Sequence, residues 1–366
     1  MRKKFINYRI IALCLLTQLF FSTFSLGQKN SRYADSLRTA YQIPELAYAV
    51  ITKDSTIEIS FSGHHANNLP DTASVTDRFH IGSNTKAMTA FIIAKAVEKN
   101  QIKWDTKFFD LFPEWKKDSN PAYLKITLQD LLSHRARIQP FTAGEEWNKV
   151  PKFKGTKVQK RKSFGHFVLS QKPVDIDTSS KYTYSNAGYT LAALMLEKVA
   201  NKSWEDMILE TFNRDLNILT GFSWPNNQSK QDTWGHLIEN NKLTPLASTI
   251  EYNLNYIEPA GDLNLTLPDY IKFIQLNLKG LNNQDNYLSA STYNFLHRCR
   301  ENYAMGWANI IENNTDLSSH AGSAGTYFTM VDIDRRKGIG YIIFANSATE
   351  SATQGIDQLM RKLKER

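Results

Sequence analysis

Ser83-Asn84-Thr85-Lys86 sets a hydroxyl and a primary amine three residues apart at the head of an apolar run. On a helix that spacing puts both side chains on one face, within reach of each other. Such a pair is one way to make a serine nucleophilic without a histidine. Ala87, Ala90, Phe91 and Ala94 continue the run as an apolar face. Apolar surroundings draw a lysine pKa down toward neutrality, and the positive end of a helix favours a developing alkoxide. Gly82 permits a tight entry to the serine. The same residues also read as a capping serine and a solvated lysine.

Tyr184-Ser185-Asn186 is the chain's one Tyr-x-Asn, where a polar loop runs into an apolar helix. A phenol beside a lysine ammonium has a lowered pKa, so Tyr184 could pass a proton between Ser83 and a leaving group. Asn186 could donate its amide to a substrate carbonyl; the bland alternative is a capping asparagine beside a core tyrosine. His320-Ala321-Gly322-Ser323 follows, between two expected strands. There the Ser323 N–H would pair with that of Ser83 as an oxyanion hole, and Gly322 would let substrate backbone approach. His320 would anchor a substrate carboxylate or support the proton network; a turn histidine is its default reading.

In this order the three segments resemble the serine penicillin-recognising hydrolases, of the class C β-lactamase and D-alanyl-D-alanine carboxypeptidase type. The resemblance extends to Phe79-His80-Ile81-Gly82-Ser83, to the I-T-x-x-x-L-L-x-H of residues 126–134, to Pro259-Ala260-Gly261-Asp262-Leu263 and to Tyr303-Ala304-Met305-Gly306-Trp307. It implies Ser83 as the acylated nucleophile, Lys86 and Tyr184 as the base and acid, and Asn186, His320, Gly322 and Ser323 at the substrate. It implies no metal and no cofactor. Class C β-lactamases carry Lys-Thr-Gly where this chain has His320-Ala321-Gly322, and the family commonly has a glycine near Arg137. The first departure looks more like a peptidase than a β-lactamase; Arg137 would close the cleft, bind an anion or sit on its rim.

The elements that must position these residues follow from pattern. Asn30 to Gln42 reads as a helix, and Glu45 to Thr52 and Ser55 to Ser62 as strands. Tyr303 to Ile311, Thr326 to Ile333 and Gly338 to Ala345 read as strands, and Glu350 to Lys364 as an amphipathic helix. Helical periodicity dominates between, at 85–99, 127–133, 187–199, 203–212 and 267–278. The expected fold is α+β: an antiparallel sheet flanked by terminal helices, with a large, mostly helical inserted domain of the β-lactamase/transpeptidase kind. The lobes divide as 28–82 plus 301–366, and 83–300, with the chemistry at the seam.

Residues 1–27 read as a signal peptide: a basic start, the apolar stretch Ile10 to Phe21, and small residues before Gln28. The stretch is too short for a stable membrane span. The chain is then expected to be exported, periplasmic or secreted; a retained anchor is the alternative. Removing the leader takes the net charge from +8 to about +4, which gives nucleic-acid binding no support. It also takes Cys14, leaving Cys299 alone as a small apolar residue. The seven basic residues among 149–162 would guide an acidic substrate such as a cell-wall fragment, or form a solvated mobile loop. The leading expectation is a hydrolase of amide bonds in D-amino-acid peptides, acting on a small-molecule or peptide substrate. An esterase or weak β-lactamase is the alternative within catalysis, and a non-catalytic ligand-binding or sensor protein the alternative outside it.

Overall fold

The computed structural model describes residues 29–250, 254–312 and 314–365. The expected leader and Cys14 lie outside the described residues. Strands β1 (Glu45–Thr52), β2 (Thr56–Gly63) and β3 (Arg78–His80) precede the Ser83 turn. Four short strands occupy the middle: β4 (Gly221–Phe222), β5 (His236–Glu239), β6 (Lys242–Pro245) and β7 (Leu263–Thr266). The chain closes with β8 (Asn302–Tyr303), β9 (Ala308–Glu312), β10 (Thr315–Ser323), β11 (Phe328–Asp334) and β12 (Ile339–Ala345). The main sheet has seven antiparallel strands in the order β2-β1-β12-β11-β10-β9-β8. It joins the two ends of the chain, with Leu46 opposite Ala345 and Thr52 opposite Ile339.

A period of two sorts its central strands onto two cores. Leu46, Tyr48 and Val50, with Tyr341 and Ile343, face the terminal helices α1 (29–40) and α12 (Glu350–Lys364). Ala47, Ala49 and Ile51, with Ile342 and Phe344, face the larger core. That core holds α2 (Thr85–Glu98), α3 (Phe108–Leu111), α4 (Leu128–Leu132), α5 (Lys157–Ser170) and α6 (Asn186–Ala200). It also holds α7 (Trp204–Ile208), α9 (Glu258–Gly261), α10 (Leu267–Leu281) and α11 (Ala290–Arg298), while Trp224 of the same core leads into α8 (Pro225–Gln228). Helix α10 lies on β1 and β12, so the sheet is covered on both faces. Helix α2 is buried nearly all round rather than along one stripe, which makes it the axis of the helical region.

The expected α+β architecture is the observed one, with three local differences. Residues 303–311 form two strands, because Gly306 takes φ +80° and lies against α2, where an added Cβ would come within 2.7 Å of Ala87 Cα. Residues 315–323 form β10, a strand that sequence pattern missed. A second sheet, β3-β7-β4, ties residues 78–80 to 263–266, so backbone pairing crosses the boundary between the two expected lobes.

Candidate active site

The turn that carries Ser83 is made by burial on either side of it. Phe79 and Ile81 are fully buried, and Gly82 takes φ +49° into a 3-10 turn, Gly82–Asn84, that runs into α2. Of those turn residues Ser83 alone is partly exposed. It is not a cap: α2 begins at Thr85, and neither helix start carries a side-chain capping bond. Asn84 Nδ2 donates to Thr329 Oγ1 at 2.8 Å, and Thr329 Oγ1 donates to Ile81 O at 3.0 Å, pinning the turn to β11. Two glycines let β10 close on it. A Cβ on Gly82 would overlap Ser323 N, and one on Gly322 would overlap Ile81 O.

Lys86 points inward and is wholly buried. Its Nζ lies 3.1 Å from Ser83 Oγ, 2.7 Å from Asn186 Oδ1 and 2.8 Å from Ala260 O. Burial holds its pKa well below the ordinary lysine range. The Tyr184 ring centroid is 4.7 Å from Nζ, and the phenol hydrogen-bonds Ser83. The sequence reading had Tyr184 acidified by an ammonium; instead its pKa is raised, because desolvation outweighs the bond to Ser83.

Two residues expected at the substrate also have partners within the protein. Asn186 Nδ2 donates one proton to Phe141 O at 2.9 Å, which fixes Oδ1 toward Lys86, so the amide orients the amine and keeps its second N–H for a substrate carbonyl. His320 is buried between two partners. Ala321 O, an acceptor, lies 2.9 Å from Nδ1, so that nitrogen carries the proton, and the Tyr303 hydroxyl donates to Nε2 at 3.0 Å. Burial, then the nearby Lys86, pushes its pKa down to about 3. A neutral, fully engaged imidazole cannot anchor a carboxylate. Gly322 serves the packing of β10 on the Ser83 turn, and Ser323 ends that strand with its Oγ accepting from Gly325 N at 3.0 Å.

Sequence reasoning missed several members. The Ala260 and Phe141 carbonyls carry no side-chain signal, though Ala260 lies in the quoted 259–263 segment. His134 packs 4.4 Å from Tyr184 and 4.5 Å from Tyr303, ring to ring, and its Nδ1 accepts from Ser185 N at 3.1 Å. It is buried and held neutral by desolvation and by Lys86. Both His134 and Tyr303 belong to segments quoted above, where nothing in the spacing marked them.

Other expectations resolve away from the serine. Arg137 donates to Val174 O at 3.0 Å and to Asp175 at 3.2 Å, an exposed loop tie. The basic stretch becomes α5 from Lys157 onward, started by a Thr156–Gln159 capping box. Its Arg161 is fully buried against Glu197 and Glu205. Burial pushes the Cys299 thiol up to about 12, which suits an inert residue.

The Beta-lactamase family model matches residues 30–363, nearly the whole described chain. The chain belongs to the beta-lactamase family. Members of this family with the serine β-lactamase fold are hydrolases. The fold agrees with that of D-amino acid amidase from Ochrobactrum anthropi SV3 (TM-score 0.72, 18% identity, 93% of this chain and 99% of the amidase). It agrees also with the octameric penicillin-binding protein homologue from Pyrococcus abyssi (TM-score 0.70, 18% identity, 88% of this chain and 73% of the homologue). Among curated family relatives, Protein flp of Staphylococcus aureus strain N315 is 24% identical over 294 residues, 78% of this chain and 56% of flp. The chain thus spans about half the length of the curated relatives it matches. No helix among the described residues is long and apolar enough to cross a membrane.

Proposed function

We propose that the protein is an exported serine hydrolase that forms an acyl-enzyme on Ser83 and cleaves amide bonds of D-amino-acid peptides. One observation carries the reading: the arrangement of acceptors about Lys86 Nζ. A neutral amine has two N–H donors and one lone pair. Asn186 Oδ1 and Ala260 O can only accept, so they take both donors, and the lone pair is left facing Ser83 Oγ. That is the geometry of a general base.

In this mechanism Lys86 takes the Ser83 proton as Oγ bonds to the carbonyl carbon. The backbone N–H groups of Ser83 and Ser323 hold the oxyanion, a role supported by the close approach that Gly82 and Gly322 allow. As the C–N bond breaks, the leaving nitrogen takes a proton from the Tyr184 phenol, which regains one from the Lys86 ammonium. Water then attacks the ester along the same route in reverse, restoring Ser83. The raised Tyr184 pKa favours a donor over a first base, and the lowered Lys86 pKa favours the amine as that base.

The shared fold with a D-amino acid amidase and a penicillin-binding protein homologue makes amides of D-residues the first substrates to assay. A neutral His320 in place of a cationic lysine argues against efficient β-lactam turnover. The test is intact mass over time with a penicillin and with a panel of D-amino-acid amides and esters, Ser83→Ala alongside. A Ser83-dependent adduct or amide cleavage is expected. Penicillin consumed with no adduct would make the protein a β-lactamase. If no donor acylates Ser83 and no hydrolysis depends on it, a ligand-binding role replaces catalysis. Export is tested separately, by N-terminal sequencing of the secreted protein, expected to begin near Gln28.

A further inference from the structure

A second cluster of chemistry-bearing residues lies away from Lys86, where β1, the 64–77 segment and the entry to β3 meet. Glu45 opens β1 and is wholly buried, and neither of its carboxylate oxygens meets a hydrogen-bond donor. Asp77, 3% exposed, precedes β3 and uses Oδ2 to accept from Ser74 N. Between them stands His65, with Nε2 2.9 Å from Asp77 Oδ1 and Nδ1 2.6 Å from Asp71 Oδ2. One donor atom each from Glu45, His65 and Asp77 fall within 4.8 Å of one another. Both ring nitrogens lack a well-aligned hydrogen bond, although carboxylates flank them.

Burying such a set without a partner is costly. Asp232 brings a fourth carboxylate close to the other three. Arg78 faces Asp232 electrostatically, while its guanidinium donates to Asn264 and Leu219 O rather than to Glu45 or Asp77. Burial and the neighbouring Asp77 hold the Glu45 pKa well above its ordinary value, so the cluster keeps together either by retaining a proton or by taking up a cation among Glu45, His65 and Asp77.

We infer that Glu45, His65 and Asp77 form a structural site for a divalent first-row transition ion, of which Zn2+ is the representative. An imidazole with two carboxylates suits zinc and its neighbours, whereas Ca2+ and Mg2+ take oxygen donors throughout. Asp71 supplies the second layer: a carboxylate on Nδ1 fixes the tautomer that presents Nε2 to the metal. The backbone of the site is already held, since His65 O accepts from Trp234 N and Asn346 Nδ2, while Glu45 N donates to Asn346 Oδ1. The ion would clamp β1 to the strand that feeds the Ser83 turn. Three separated residues carry no ligand spacing, so the sequence reading of no metal had nothing to detect.

The test uses the full-length protein stripped with a chelator and titrated with Zn2+, Co2+ and Ca2+. Wild type is expected to take up about one equivalent of Zn2+, to show ligand-field absorption bands with Co2+, and to ignore Ca2+. At a hundredfold excess over Kd the Tm should rise by roughly 5 °C. Glu45→Gln and Asp77→Asn should each weaken Zn2+ binding by about 100-fold. Absence of uptake by wild type would overturn the inference and leave a proton-sharing carboxyl cluster. Undiminished uptake by both variants would overturn the site, and an equal response to Ca2+ would overturn the metal class. Should neither variant fold, the Co2+ bands of wild type decide: their appearance supports an imidazole-containing site, and their absence ends it.

Discussion

At Lys86 a single proton separates a resting enzyme from a competent one. The free amine is the base, so activity is lost as pH falls through the lowered Lys86 pKa and is held above it. The pH–kcat/KM profile should show this acid limb well below the ordinary lysine range. Lys86→Arg keeps a cation that cannot deprotonate, and should cost at least about 1000-fold in kcat/KM at every pH. Tyr184→Phe should cost about 100-fold or more, chiefly in kcat, because it removes a proton donor and leaves the packing. His320, at about 3, is neutral throughout the range of an ordinary assay. His320→Gln is therefore expected to change the rate while leaving the acid limb where it is; a shifted limb would assign that titration to the histidine.

At the scale of elements, the site depends on how closely β10 and α9 approach α2. Gly322→Ala puts a methyl into Ile81 O, so acylation of Ser83 should slow by at least tenfold and the melting temperature should fall. Arg161 joins α5 to Glu197 of α6 and Glu205 of α7, and lies 3.9 Å from Glu258 of α9, the helix that lends its Ala260 carbonyl to Lys86. Arg161→Met strands buried carboxylates and should cost about 3–5 kcal/mol in urea denaturation, with a weakened active site as a second readout. Sequence pattern reached Ser83, Lys86, Tyr184 and Asn186, because each sits in a short motif that opens a helix. It reached β1, β11 and β12 because their apolar residues mark them out. It missed β10, whose Thr-Asp-Leu-Ser-Ser-His-Ala-Gly-Ser has no apolar alternation and becomes a strand through pairing on both sides. It mistook Arg161 for a solvated residue because the carboxylates that bury it come from 36 to 97 positions away.

Across the whole molecule, the sheet is closed by its latest strand. β1 bonds β2 on one side and β12 on the other, and Leu46 meets Ala345 only when some 300 residues between them are in place. Until then the two-stranded β1–β2 hairpin lacks both its neighbour and the second helix that covers one of its faces. Contacts of such sequence separation are entropically expensive to close and slow to form. A ribosome-bound chain truncated before Gly338 should therefore be digested by protease throughout, including the residues around Ser83, whereas the released chain resists. Emergence of β12 is then the event that commits the earlier strands to their native pairing, so every segment before it waits on a strand made about 280 residues later than β2.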